Sequence, residues 1–456
     1  MRKLHGVITQ AGSLLGANPR RGRVITIVLL LLFVANVFDP GGAFGLRYFA
    51  FVVAVLATLW TVRFFHLPSG ALTLGLVLFV VWPAWSLVYG VARGGDLFVG
   101  IVQVSPFVFA LIVALILPVL DDLTPLRMLY ACLFFLAVGV TAVFALLVLL
   151  PDNSLSHTLL GFLVGLDERE GYFRVTSLGD LEVPWIYFRS TLFLVPAFVY
   201  YLFVNRLLRA GVILLALGAT LSKAGLTIAL LFGAYYSISV LLAGSAAGEV
   251  GRLLRGRIRR FLPVLVVAGA ALVILLSLPT FSDQIRDAWQ GESDTSQVRM
   301  GHFHSVMNLF LQHPSYLVVG QGVGVPFYSL GEFDYVQNIE IDHVNAIRKF
   351  GLPWFIGFSA VAFYSARRLI KSGQVERRAF GFALVSIYFA AGTNPVLTSD
   401  LFIILLTLSY SAQRNCAVFS NSQRNARANV GGVGPFTLEG GGQMVYGSGN
   451  EPGRAI

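Results

Sequence analysis

Apolar runs alternate with short polar breaks along most of the chain. Reading each run to its break predicts helical segments near 24–39, 46–62, 70–92, 98–118, 127–150, 186–204, 210–221, 224–243, 261–279, 352–366, 379–393 and 400–412. Several approach or exceed the ~18 residues that cross a hydrocarbon core of about 30 Å at a rise of about 1.5 Å per residue. The short alternating strands of a membrane barrel do not appear in this pattern. In LLALGATLSKAGLTIALLF the run is interrupted at Ser222 and Lys223, which predicts two helices meeting at a polar elbow. The expected architecture is all-α: a polytopic integral membrane protein of about twelve transmembrane helices. It divides into an N-terminal cytoplasmic segment 1–23, a transmembrane domain 24–412 and a cytoplasmic tail 413–456. The tail is rich in Gly, Asn and Ser and reads as disordered.

Composition agrees. The chain is 56% hydrophobic and 12% charged with a mean hydropathy of +0.76, more apolar surface than a soluble core buries. Its polar start lacks the compact apolar region of a signal peptide. Basic residues in short loops fix orientation. With both termini cytoplasmic, 23 of the 33 Lys and Arg fall in inner segments, among them 206–209, 249–260 and 367–378, while 17 of the 23 acidic residues fall outside. The net charge of +10 therefore reads as a topology signal and lipid contact, not as a nucleic-acid footprint. Cys132 lies inside an apolar run and Cys416 just after the last one, so neither a disulfide nor a metal cluster is expected. Two outer segments are long, 151–185 and 280–351, and function is sought there.

Four outer positions stand out. Lys223 in ATLSKAGL sits between two apolar runs, where burial of a cation needs a partner or a water-filled cavity; a lysine snorkelling from a helix end gives the same pattern. Arg174 in REGYFRVTSLGD is equally readable as a solvated loop arginine. Arg299 heads an amphipathic stretch carrying Met300, Phe303, Val306, Met307, Phe310 and Leu311 at helical spacing, with Ser293, Asp294, Thr295 or Ser296 as its cap. An arginine in a first turn opposes the helix dipole, which points to another reason for its place. In NIEIDHVNAIRKFGLPWF, Glu340 and His343 share a face if the segment is helical, with Asp342 pointing elsewhere. A carboxylate beside an imidazole serves as a general base or as a satisfied polar pair.

Taken in order, LSKAG at an outer elbow, the outer-loop run VRMGHFHSVMNLFLQHPSYLVVGQGVG, EIDHVNAIRKFGLPWFIGF entering the next span and GTNPVLTSD at the last outer turn resemble the bacterial O-antigen polymerase and O-antigen ligase family, capsule and exopolysaccharide polymerases included. The resemblance covers roughly residues 174–410. It departs from the family at two points. The elbow is Ser222-Lys223 where Ser-Arg is usual, and Glu340 stands eleven residues before Gly351, where ligases carry His-Asn. The second departure favours a polymerase over a ligase.

The resemblance implies a GT-C-like glycosyltransferase of the bacterial inner membrane, with short helices in a large periplasmic loop and no cofactor or metal. Its substrates would be undecaprenyl-diphosphate-linked glycans, its surroundings membrane lipid, and its pathway partners a flippase and a chain-length regulator. A departing diphosphate needs cations and the acceptor hydroxyl needs a base, so Arg299, Arg174 and Lys223 are the expected diphosphate clamp and Glu340 or His343 the base. A ligase transferring polymer to lipid A-core is the alternative within the family. A polytopic transporter is the alternative outside it, although the uneven outer loops spoil the two-fold repeat of such folds.

Overall fold

The structure, a computed structural model, describes residues 19–42, 44–61, 75–117, 123–150, 153–170, 173–178, 181–186, 189–220, 222–246, 294–410 and 412. The expected span 261–279, the inner basic loop 249–260, the first eighteen residues and the tail from 413, Cys416 included, lie outside the described residues. Cys132 is a buried free thiol.

The apolar runs fold as helices. These are α1 (Pro19–Phe38), α2 (Leu46–Thr61), α3 (Trp82–Ala92, continuing a π-helical turn Val77–Val81), α4 (Leu97–Ile116), α5 (Thr124–Leu149) and α6 (Ser154–Glu170). There follow α7 (Leu194–Phe203, entered through a 3-10 turn Arg189–Phe193), α8 (Leu207–Ala219), α9 (Lys223–Ala246), α10 (Asp294–Gln312) and the single turn α11 (Tyr316–Val319). The chain continues with α12 (Asp342–Phe350), α13 (Leu352–Ile370), α14 (Val375–Ala390) and α15 (Asp400–Tyr410). Eleven of the twelve expected segments are helical, the other lying outside the described residues; α6 was not foreshadowed by the apolar pattern. The break at the predicted elbow is real. Helix α8 ends at Ala219, and the Ser222 hydroxyl accepts the Gly225 amide at 3.2 Å, capping the start of α9.

The all-α expectation needs one correction. Two antiparallel hairpins interrupt the helices: β1 (Phe173–Leu178) with β2 (Leu181–Ile186), and β3 (Phe327–Ser329) with β4 (Asp334–Val336). Both contain aromatic and β-branched residues that favour a pleated strand, and both fall in polar segments where helical periodicity fades.

Helices α4 and α5 are long and apolar enough to cross a membrane; the apolar stretches of the other helices found among the described residues, such as Gly22–Phe38 in α1 and Ala224–Val240 in α9, run 10–17 residues. Side-chain placement matches a lipid surround. On α2, Tyr48, Phe49, Val52, Leu56 and Leu59 face outward, whereas Ala50, Ala54 and Ala57 are buried. Small residues inside and large apolar residues outside let helices approach closely in lipid, whereas in water such a face would be an exposed apolar patch. At one end of the bundle Arg47 pairs with Asp400 at 2.5 Å, Phe44 stacks on Phe162 with centroids 6.4 Å apart, and the Asp96 amide donates to Gly324 O at 3.0 Å. Arg127 pairs with Glu376 at 2.9 Å, joining the α5 start to the α14 start.

Candidate functional site

Helix α12 organises the site because its polar residues point inward. Asp342, Asn345, Arg348 and Lys349 are all buried, beside Ala346 and Phe350. Arg348 is wholly enclosed. Its Nη1 donates to Gln321 Oε1 at 2.7 Å and Val325 O at 3.2 Å, and its Nη2 to Gln337 O at 2.7 Å and Asn345 Oδ1 at 2.9 Å. The guanidinium also lies over the Phe327 ring at 4.5 Å. These acceptors are neutral oxygens, and burial pulls the Arg348 pKa down to about 9. The pKa of Lys349 beside it is lowered by burial and by Arg348, while Asp342 opposes the shift; its Nζ donates to Asn338 Oδ1.

A glycine-rich turn locks this helix to the bundle. Gly320, Gly322 and Gly324 have φ of +80°, +97° and +76°, and a Cβ there would stand 2.3 Å from Lys349 O, 2.5 Å from the Gly90 Cα and 2.4 Å from Asp96 O. Only glycine permits both the left-handed backbone and this approach to α3. The turn's amides are already spent. Gln321 N donates to Arg348 O at 2.5 Å, Gly322 N to Lys349 O at 3.3 Å, Val323 N to Ser86 O at 3.3 Å and Gly324 N to Gln103 Oε1 at 3.2 Å. The turn is a structural splice and not an anion cradle. Trp82 Nε1 and the Ser86 hydroxyl donate to Phe350 O and Lys349 O at 2.7 and 2.9 Å, so this outer segment reaches two to three turns down α3 from its Ala92 end.

Above this base the structure brings two of the five sequence-predicted residues into direct contact and sets a third, His343, beside the turn that follows α14 at Gly392. Arg299 Nε donates to Glu340 Oε2 at 2.7 Å, and Arg299 Nη2 to Thr393 O at 3.4 Å. Helix α10, the approach to α12 and the turn after α14 therefore meet at one guanidinium. Of its five N–H groups, these bonds use two, and the side chain is 32% exposed. Asp342 ties the same turn from below, its Oδ2 accepting the Leu397 amide. Burial raises the Asp342 pKa, while Lys349 and the amides of Leu397, Val396 and Thr398 oppose the shift. His343 stands between Phe355 and Tyr388, with ring centroids at 5.8 and 4.9 Å. Burial lowers its pKa from the ordinary histidine value, which disfavours the imidazolium form.

Several expectations change. Helix α10 begins at Asp294, so Arg299 lies in the second turn, where the dipole is already weak. Val306 and Phe310 are buried, but Met300, Phe303 and Leu311 are exposed, because the buried face is completed instead by His302 and Ser305. Glu340 and His343 do not share a helical face. The helix starts at Asp342, and Glu340 lies ahead of it with its carboxylate turned to Arg299 and 47% exposed. Asp342 does point elsewhere, as the spacing implied. Arg174 is the second residue of β1 and Lys223 the first of α9, each on an element separate from the Arg299 site. Sequence reading missed Arg348, Lys349 and Asp342. The signal for the first two was an Arg-Lys pair set directly against Phe350 and Gly351, with no polar stretch to solvate it.

Arg348→Met is expected to destabilise the protein by about 2–3 kcal/mol, since the carbonyl and amide oxygens around the guanidinium lose their donor while still buried. Arg348→Lys should recover little, because one ammonium does not span acceptors on both sides of a planar fork. Thermal unfolding in detergent micelles measures both. An unchanged midpoint for Arg348→Met would refute the buried-hub assignment.

No family model matches the chain, and comparison with curated proteins returns no match.

Proposed function

We propose that the chain polymerises oligosaccharide repeat units linked to undecaprenyl diphosphate, on the periplasmic face of a bacterial inner membrane, as a cofactor-independent glycosyltransferase with about twelve spans. The observation that carries the reading is the meeting of Arg299, Glu340 and the Thr393 turn, with His343 on the adjoining helix. A cation with N–H groups left uncommitted among the described residues, a carboxylate and an imidazole whose protonated form burial disfavours are the groups such a transfer needs. The acceptor hydroxyl gives its proton to the base, and its oxygen bonds the donor's anomeric carbon. The bond from that carbon to the diphosphate oxygen breaks, and the leaving diphosphate takes the electron pair. Arg299 holds the leaving group and Glu340 or His343 takes the proton; Arg174 and Lys223, on separate elements, are the further clamp residues that the family resemblance implies.

The pairing of bundle ends supports the topology. Arg47 with Asp400, Phe44 with Phe162 and Asp96 with Gly324 each join segments read as periplasmic, while Arg127 with Glu376 joins segments read as cytoplasmic. Deleting the gene in the parent bacterium, followed by lipopolysaccharide and exopolysaccharide analysis, tests the function. A product stopped at a single repeat is expected. Polymer retained on undecaprenyl lipid would identify a ligase instead, and an unaltered glycan profile would remove the chain from polysaccharide assembly.

A further inference from the structure

The β3–β4 hairpin has two unlike faces. Its inner face is fixed: Phe327 lies under Arg348, and Ser329 is fully buried with its Oγ 2.5 Å from His302 Nδ1. The turn is pinned to α10 as well. Leu330 N donates to Ser305 Oγ at 2.8 Å, His302 Nε2 faces Glu332 at 3.3 Å, and Gly331 lies so close that a Cβ there would be 2.2 Å from Val298 O. Val298 immediately precedes Arg299, so the hairpin is held rigidly against the turn that carries the candidate clamp.

The outer face is aromatic and open. Tyr328 and Tyr335 are direct cross-strand partners, packed edge to face with centroids 5.6 Å apart, and they are 47% and 69% exposed. Phe333 at the tip is 76% exposed and sits at φ +54°, a left-handed conformation that an aromatic residue adopts at a steric cost. The hairpin's own charges are of one sign, although Glu340 beyond it is paired with Arg299. Residues 327–341 hold Glu332, Asp334 and Glu340 and no Lys or Arg, in a chain whose net charge is +10. Such a surface repels anionic lipid headgroups and polyanions. It suits a ligand with an apolar face to stack on rings and hydroxyls to donate to carboxylates and phenols, which describes a neutral pyranose.

We propose that Tyr328, Phe333 and Tyr335 form a stacking platform for neutral sugar residues of the acceptor glycan, leading it toward Arg299 and Glu340. The identification of the glycan as acceptor rests on the polymerase reading; the sugar chemistry rests on the hairpin alone. The test uses the full chain in nanodiscs and saturation-transfer NMR with linear tetra- to hexasaccharides of glucose, galactose and mannose. At least one should bind wild type. The triple variant Tyr328→Ser/Phe333→Ser/Tyr335→Ser should bind about tenfold more weakly, a loss of about 1.4 kcal/mol of ring contacts, at an unchanged thermal midpoint. Tyr335→Phe should keep binding, which separates stacking from a folding defect. Binding by none of the panel, or equal binding by the triple variant, overturns the platform. So does quenching of Phe333→Trp fluorescence by brominated lipid, which would place the tip in the bilayer. Consumption of lipid-linked repeat units is measured separately on wild type. Tyr-dependent sugar binding without consumption retires the polymerase reading and leaves the platform standing; consumption with undiminished binding in the triple variant does the reverse.

Discussion

Arg299→Ala is expected to lower polymer formation by about 10²- to 10³-fold, the usual loss when a preorganised donor to developing negative charge is removed. Protein level should stay near that of the wild type. The Arg299–Glu340 pair is part-exposed, and exposed ion pairs contribute about 1 kcal/mol or less to stability. Its geometry is better suited to orienting a donor than to holding the fold. Nε is held by Glu340 and one Nη2 hydrogen by Thr393 O, which aims the fork without using it up. Arg299→Lys keeps a positive charge but not two parallel N–H groups, so it should recover only part of the activity. Turnover of lipid-linked repeat units in washed membranes, normalised to immunodetected protein, measures both variants. Wild-type turnover in Arg299→Ala would end the clamp assignment, and loss of both variants from the membrane would make Arg299 a structural residue.

The sequence disclosed what short-range rules control. Apolar run lengths located the helices, and the Ser222-Lys223 interruption located the α8–α9 break, because a helix end follows from local polarity and a capping hydroxyl. The long polar segment that holds Arg299, Glu340 and His343 was chosen as the place to look because polar loops between apolar runs are where binding and catalytic side chains gather. What stayed hidden depends on partners distant in sequence. Arg299 and Glu340 are 41 residues apart, and nothing in either neighbourhood specifies the other. Glu340 and His343 had helical spacing, but α12 begins only at Asp342, whose carboxylate is drawn inward to the Leu397 amide. Arg348 defied the rule that cations sit outside, because its acceptors come from separate stretches around Gln321, Val325 and Gln337. Only the fold shows that the glycines of the turn Gly320–Gly324 serve close packing, Gly322 against Gly90 among them.

Glu340→Gln is expected to remove activity by about 10²- to 10⁴-fold, the range for loss of a general base. The amide oxygen still accepts from Arg299 Nε, so the clamp keeps its aim while the group that takes the proton is gone. His343→Ala should weaken turnover by about tenfold, as expected when a residue lining a site is cut back but the base remains. The two side chains differ in a way that makes their roles separable. Glu340 is open to solvent and beside the cation, where an incoming hydroxyl and the leaving diphosphate must both arrive. His343 is flanked by Phe355 and Tyr388, and its burial lowers its pKa. A His343 base would therefore give a kcat/KM that falls on acidification, with the fall displaced to lower pH than for a solvent-exposed histidine. That limb should survive Glu340→Gln if the histidine takes the proton. Should His343→Ala be inactive while Glu340→Gln keeps most of its turnover, the imidazole takes the proton and Glu340 only orients Arg299. Full activity of both purified variants on a lipid-linked repeat unit would exclude both residues as the base.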